Sequence, residues 1–233
     1  MDITIDGLRK LYGDTVAVSV PHIHVSEGEV LGFVGNNGAG KTTLFRLLLD
    51  LVRADEGRVC IGGVNVAHSE EWKDYVGAFL DESFLIDYLT PQEFFAFVRS
   101  VSGRAVGAAT SWQECFAPLL RDVPEVLIRE LSAGNRQKVG IASAFLLSPQ
   151  VVVLDEPFNF LDPSSQFLLC ECIAFYRMCC PEAILLVSSH NIRHLADIST
   201  RIALMEHGSI VRTCDTSVEA IQEIEQYFST TYA

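Results

Sequence analysis

The stretch Gly35-Asn36-Asn37-Gly38-Ala39-Gly40-Lys41-Thr42-Thr43 satisfies the pattern G-x-x-x-x-G-K-[ST] at every position. It follows an apolar run, Val30-Leu31-Gly32-Phe33-Val34, that predicts a buried strand, and it precedes Leu44 to Leu49, which predicts a helix. A strand that passes through a glycine-rich turn directly into a helix demands an α/β core with the turn at the C-terminal edge of its strand. The chemistry is equally constrained. Backbone N–H groups of the loop wrap an anion, the helix points its positive end at the same place, and Lys41 adds a point charge. Thr42 sets a hydroxyl where a phosphate-bound magnesium sits. The expected ligand is a nucleoside triphosphate.

At 233 residues the chain fits one large α/β domain, with room for an inserted subdomain. Acidic residues outnumber basic ones 30 to 17, for a net charge of -13, and no lysine- or arginine-rich run is present, so no nucleic-acid partner is expected. The seven cysteines are an odd count with no secretory signal at the start, which fits a reducing cytosol. Cys170, Cys172, Cys179 and Cys180 cluster without C-x-x-C spacing and read as small hydrophobes of a helix, with redox or zinc roles as weaker readings. The apolar region Val139 to Leu154 is broken by Ser148-Pro149-Gln150, so it predicts a helix and then a strand, not a membrane span.

Asp2 to Asp6 alternates as a half-buried strand, Leu11 to Asp14 predicts a turn, and Thr15 to Val25 predicts a further strand. His22 and His24 share one face of that strand and, with no third ligand, read as solvent-facing. Gly57 to Cys60 and Val64 to Val66 flank Gly62-Gly63 as a hairpin, and Val76 to Leu80 predicts another buried strand. From about Ser83 to Leu147 strand signals vanish. Thr90-Pro91-Gln92-Glu93 and Ser111-Trp112-Gln113-Glu114 both fit a capping box, and Gly103 to Ala109 is the expected loop between their helices. The apolar strand Val151 to Leu154 then delivers Asp155 and Glu156 at its C-terminal end, where such sheets bind ligands. A helix from Asp162-Pro163 to about Cys180, a strand ending in Ser188-Ser189-His190, a short helix, a hairpin at Glu206-His207-Gly208 and a helix begun by Thr216-Ser217-Val218-Glu219 complete the expected elements.

Two adjacent carboxylates at such a strand end suit metal-assisted phosphoryl transfer: Asp155 holds magnesium, and Glu156 orients and deprotonates the attacking water. Leu131-Ser132-Ala133-Gly134-Asn135 opens the helix of Val139 to Leu147 and, alone, reads equally as a self-capping helix start or an anion site. His190 and His194 have a metal-compatible spacing, but a phosphate contact by His190 is the stronger reading.

Taken together, these stretches resemble the ATP-binding cassette (ABC) ATPases, and specifically the nucleotide-binding subunits of ABC transporters, over nearly the full length. Gly35 to Thr43 is similar to Walker A, Val151 to Glu156 to Walker B with its catalytic glutamate, and Leu131 to Asn135 to the LSGGQ signature. Asn159-Phe160-Leu161-Asp162 resembles the D-loop, His190 the switch histidine, and Tyr12 the aromatic residue that stacks on adenine.

The resemblance implies a P-loop NTPase core of ABC type with an N-terminal antiparallel β subdomain and an α-helical subdomain inserted at about 83–147, the whole chain forming one ATPase domain. It implies ATP and Mg2+ as cofactors and a head-to-tail dimer in which Ser132 and Gly134 of one subunit face the γ-phosphate held at the other's Lys41. His190 would contact that phosphate, and Asp162 would carry information across the dimer. It further implies a second ABC ATPase subunit, identical or different, and transmembrane subunits as partners, and a cytoplasmic place on the inner face of the cell membrane.

Asp81 stands where the family has the Q-loop glutamine, Ala133 replaces a signature glycine, and Asn135 replaces the signature glutamine. A carboxylate at 81 keeps an oxygen for magnesium but adds negative charge beside the triphosphate. Ala133 is tolerable if its φ is negative. The segment Asp81 to Tyr88, which in the family abuts the membrane partner, carries Phe84, Leu85, Ile86 and Tyr88, equally readable as subdomain core. The compact chain resembles subunits of drug, lipid or polypeptide exporters, although importer subunits can be this short. A soluble ABC ATPase acting on DNA or ribosomes is the alternative, but neither a long coiled-coil insertion nor a second cassette is present; a weakly hydrolysing regulatory module is the other.

Overall fold

A computed structural model describes residues 1–102 and 110–231. In chain order the elements are β1 (Ile3–Tyr12), β2 (Thr15–Val25), β3 (Val30–Val34), α1 (Lys41–Leu48), β4 (Glu56–Ile61), β5 (Val64–Asn65), β6 (Val76–Phe79), α2 (Pro91–Val101), α3 (Thr110–Leu120) and α4 (Ala133–Ala144). They continue with β7 (Val151–Leu154), α5 (Pro163–Cys179), β8 (Ile184–Ser189), α6 (Ile192–Ala196), β9 (Arg201–Glu206), β10 (Ser209–Asp215) and α7 (Val218–Thr231). The chain divides into two compact units, one of residues 1–72 and 184–233, the other of residues 73–183.

In the first unit an antiparallel sheet runs in the order β2-β1-β4-β5. Its exposed face carries the two strand histidines, each beside a carboxylate: His22 Nδ1 is 2.8 Å from Asp6 and His24 Nε2 is 3.2 Å from Asp2. The first is a direct cross-strand pair, Asp6↔His22; the second is diagonal, since His24 stands opposite Thr4. In the same unit β3 lies between β8 and β9, parallel to both, and β10 returns antiparallel along β9. All five residues of β3 and all six of β8 are buried, which explains why both read as unbroken apolar runs rather than alternating ones.

The second unit pairs β6 and β7 in parallel and adds the helices α2 to α5. Its core is aromatic. Phe145 sits between Phe116, at 4.5 Å between ring centroids, and Tyr176, at 4.8 Å, and the Tyr176 hydroxyl donates to the Pro149 carbonyl at 2.6 Å. That bond lets a fully buried phenol pack without an unsatisfied oxygen. The thiols join this core: Cys115 and Cys172 are buried, and burial pushes Cys115 up to about 12 and Cys172 up to about 11.

Local chemistry sets the helix starts. Thr90 and Glu93 form the expected capping box, with reciprocal bonds of 3.3 and 2.9 Å and proline at the first helical position. The second expected box is displaced: α3 already includes Thr110, so Ser111 is not its N-cap. The expected loop at Gly103 to Ala109 lies outside the described residues. The last helix is capped by Ser217, whose hydroxyl accepts from the Ala220 N–H at 3.4 Å, one residue beyond the Thr216 expected from sequence.

Asp162 caps α5 with three donors: the Ser165 N–H at 2.9 Å, the Ser165 hydroxyl at 2.7 Å and the Ser164 hydroxyl. These bonds, from Ser164 first and then Ser165, hold the carboxyl well below the usual carboxylate range. A depressed folded-state pKa stabilises the fold fully above the unfolded value and is lost as pH falls toward the folded one. Asp162→Asn is therefore expected to lower the urea midpoint at neutral pH. The gap to wild type is expected to narrow progressively as pH falls below about 4, where the unfolded chain's carboxyl takes up a proton that the folded one still refuses; a gap independent of pH would contradict the cap's ionic character.

Candidate functional site

In the first unit the strand register does the positioning. Val34 pairs with Ser189, so Gly35 and His190 leave adjacent parallel strands side by side at their C-terminal edge. Between β3 and α1 the loop 35–40 closes on itself. Lys41 is 6% exposed, and its ammonium donates to the carbonyls of Gly35 at 2.6 Å and Asn36 at 3.3 Å, which fixes the charge inside the loop's concavity. Gly40 has φ 103°, and a Cβ there would meet the Ala17 carbonyl oxygen at 2.6 Å. Only glycine lets the loop turn this tightly against β2. The hairpin between β9 and β10 braces the same loop, since the Gly208 N–H donates to Ala39 O at 2.9 Å and the Gly208 carbonyl accepts from Ser19 at 2.7 Å.

Thr42 and Thr43 follow Lys41 in the first turn of α1. Tyr12, at the end of β1, is 52% exposed, and the Lys10 ammonium lies 5.6 Å from its ring centroid. Its ring is thus an open face of the kind that can stack on a base. His190 is exposed just before Asn191, which caps the short helix α6 by accepting from the Arg193 N–H at 3.0 Å.

The second unit presents a matching edge. Phe79 pairs with Leu154, and the Asp155 N–H donates to the Phe79 carbonyl at 3.0 Å, so Asp81 and the Asp155-Glu156 pair emerge from neighbouring strand ends. Asp155 is 5% exposed. Glu156 takes φ 47°, a left-handed backbone that costs an ordinary residue about 1–2 kcal/mol and turns its side chain out of the strand's alternation. Asp81 caps the 3-10 turn 82–84, its Oδ1 accepting from the Ser83 N–H at 2.9 Å and from the Ser83 hydroxyl. Beside it, Glu82 forms an ion pair with Arg136 in the first turns of α4.

The turn at 131–135 is the N-terminus of α4. Ser132 is its cap, the hydroxyl oxygen accepting from the Asn135 N–H at 3.2 Å, which leaves the hydroxyl proton to donate elsewhere. Ala133 lies in the helix, with the negative φ its side chain requires. Gly134 has no such freedom: a Cβ there would come within 2.7 Å of the Phe160 carbonyl oxygen. One turn further on, Gln137 is 7% exposed and its amide donates to the carbonyls of Glu156 and Pro157, each at 3.2 Å. Sequence reading passed over Gln137, because a glutamine inside a helix carries no signal until its partners, 19 and 20 residues away, are known.

Two further features bear on function. Leu85 is buried and Phe84 and Tyr88 are 47% and 73% exposed, so the apolar segment divides between core and surface. Phe84, Leu85 and Ile86 line a groove of about 300 Å³ with Phe94, Phe97 and Leu147. Among the described residues no group of three or more His, Cys, Asp or Glu side chains is placed to hold a metal, so His22, His24, His190 and His194 form no metal centre there. None of the described helices is long and apolar enough to cross a membrane.

The sequence model of the ABC transporter family matches residues 19–159, more than half of the chain. The uncharacterized ABC transporter ATP-binding protein YhaQ of Bacillus subtilis (strain 168) is 31% identical over 213 residues, which cover 90% of this chain and 70% of that protein. The bacitracin transport ATP-binding protein BcrA of Enterococcus faecalis is 29% identical over 220 residues, covering 92% and 71%. In fold, the chain is similar to the ATP-binding cassette MJ0796, solved as a dimer in a post-hydrolysis state with ADP and Pi, with a TM-score of 0.79 at 20% identity over 92% of this chain and 99% of that one. With its phosphate loop, acidic strand end and capped signature turn in the matching order, the chain belongs to the ABC transporter family, as one of its ATP-binding ATPases.

Proposed function

We propose that the chain is the ATP-hydrolysing motor of a membrane exporter, and that both units work as one ATPase domain with residues 83–147 as its helical arm. ATP lies between one subunit's phosphate loop and the signature of a second cassette, and closure of that pair drives separate transmembrane subunits. The observation that carries the reading is the join made by Gln137. Through it, α4, which begins at the signature, holds the backbone of the catalytic strand end, so displacement of the signature is felt at Glu156.

In this reading Lys41 and the loop amides of Gly35 to Thr43 hold the phosphates, and Tyr12 stacks on the adenine. Ser132 donates its hydroxyl proton to the γ-phosphate held by the partner, and the backbone of Gly134 approaches the same group. Glu156 accepts a proton from the attacking water, and His190 hydrogen-bonds the γ-phosphate to keep that water in line. Asp162 links the two sites across the pair. Thr42, Asp155 and Asp81 offer only oxygen donors, a chemistry that suits Mg2+. The bound ion supplies charge neutralisation for the transferring phosphoryl group.

The transmembrane partner docks in the apolar groove at Phe84, Leu85 and Ile86, with the chain on the cytoplasmic face of the membrane. Likeness to a bacitracin transport ATP-binding protein supports a transport role.

Glu156→Gln is expected to lower the ATPase rate by at least about 100-fold with ATP binding retained. In inside-out vesicles that also contain the transmembrane partner, wild type should accumulate the transported compound on ATP addition and the variant should not. Retained turnover in the variant would sink the assignment of the base, and accumulation only in right-side-out vesicles would sink export.

Asp81 adds a negative charge beside the triphosphate and magnesium, so Asp81→Gln is expected to shift the magnesium dependence of the rate to lower concentration or to raise turnover. Superimposable magnesium titrations would remove Asp81 from the metal's surroundings.

A further inference from the structure

Helix α2 turns different faces to two cavities. Phe94, Phe97 and Val98 line the apolar groove described above, whereas Gln92, Phe95 and Arg99, at positions i, i+3 and i+7, line a second cavity of about 470 Å³ between α2 and the segment 112–125. Phe95, Trp112, Leu120 and Val123 make its walls apolar, and Arg99 and Glu125 are the charged side chains among the described residues that line it. Its volume falls in the range of small-molecule sites, and an apolar pocket with few polar groups is their usual make-up.

Arg99 is the unusual member. Arginines elsewhere in this acid-rich chain hold carboxylates, as Arg58 holds Asp6 at 3.2 Å and Arg136 holds Glu82. The Arg99 guanidinium instead lies over the Trp112 ring, its carbon 5.3 Å from the centroid, and its Nε–H is buried and meets no acceptor among the described residues. A guanidinium partly withdrawn from water gains more from an anionic partner than a fully hydrated one does. Its support is rigid: the Trp112 indole N–H donates to the Ala142 carbonyl at 2.7 Å, and its ring stands edge-on to Phe95 at 5.1 Å. Glu125 is committed elsewhere, its Oε1 accepting from the Gln92 N–H at 3.2 Å. Gln92 and Arg99 are separated by about 10 Å along the helix axis, so the cavity has a positive end and an acidic end.

We propose that this cavity binds a small organic carboxylate, its head group paired with the Arg99 guanidinium and its apolar body laid along Phe95, Trp112 and Leu120. The two charges set the orientation, since Glu125 repels an anion from the far end. The apolar walls select an acid with a hydrophobic body over a hydrated inorganic anion, and the planar fork of the guanidinium matches a carboxylate with two N–H donors. None of these residues belongs to the proposed nucleotide site or to the groove at Phe84, so the assignment does not depend on the transporter reading.

The test is calorimetric titration of the whole chain with octanoate and with 2-naphthoate, each beside the alcohol of the same skeleton. At least one carboxylate is expected to bind at a single site with a Kd of about 1 mM or tighter, and its alcohol about tenfold more weakly or worse. Arg99→Gln should weaken the carboxylate about tenfold or more and leave the alcohol unchanged, while Arg99→Lys, which keeps the charge but not the fork, should fall between. In a Trp72→Phe background Trp112 is the one remaining tryptophan, and its fluorescence should titrate with the calorimetric midpoint, a readout that does not depend on the stability of the Arg99 variants. Equal affinity for carboxylate and alcohol, carboxylate binding unchanged in Arg99→Gln, or a Trp112 signal that ignores the ligand each overturn the proposal. Loss of binding in Phe97→Asp with Arg99→Gln unaffected also overturns it, and assigns the ligand to the other groove. No saturable binding of either acid below about 10 mM overturns it as well.

Discussion

A triphosphate is a concentrated negative charge, and a chain with net charge -13 must hold it against its own field. In the proposed reading the solution begins with positive groups fixed by the fold: the amides of loop 35–40, the N-terminus of α1 and a lysine whose ammonium is anchored to the loop's own carbonyls. It cannot end there. Asp81, Asp155 and Glu156 all follow the ends of β6 and β7, so that edge, catalytic in the proposed reading, is itself acidic. The second positive face, a capped helix N-terminus at Ser132, is the natural complement. An anion placed between two helix N-termini is balanced in a way that one loop alone does not achieve.

Parallel strand register places the chemistry in both units. The pairs Val34↔Ser189 and Phe79↔Leu154 each bring two residues of the proposed site to neighbouring strand ends. Backbone shape then refines the arrangement. Gly40 allows the loop to turn onto β2, the left-handed Glu156 redirects its carboxylate, and Gly134 admits the Phe160 carbonyl. Gln137 and the Glu82–Arg136 pair tie α4 to the acidic edge at two points, which makes the signature helix and that edge mechanically one piece.

Much of this was legible in the sequence, for identifiable reasons. The phosphate loop, the acidic strand end and the box at Thr90 are local patterns whose physics is complete within a few residues. The fully buried β3 and β8 were legible because no polar alternation interrupts them. What escaped depends on contacts distant in sequence. Gln137 gains meaning only from the carbonyls of Glu156 and Pro157, and Gly208 only from its place against Ala39 and Ser19. The left-handed φ of Phe160 could not be read from a residue type that ordinarily avoids it. The box at Ser111 failed because a four-residue pattern marks a helix start only to within a turn. The segment at Phe84 to Tyr88 was ambiguous in sequence and divides in the structure, Leu85 inward, Ile86 half-buried, Phe84 and Tyr88 exposed.

The central claim is that each ATP is shared, held by one subunit's loop and closed over by another's signature. Mixing two disabled chains tests it most directly: Lys41→Ala lacks a working loop and Ser132→Arg lacks a working signature. Each alone should be nearly inactive as an ATPase. Mixed in equal amounts, they should recover about a quarter of the wild-type rate, because random pairing makes half the dimers mixed and each mixed dimer contains one complete site. A mixture as inactive as its components, or full activity in Ser132→Arg alone, would contradict the account.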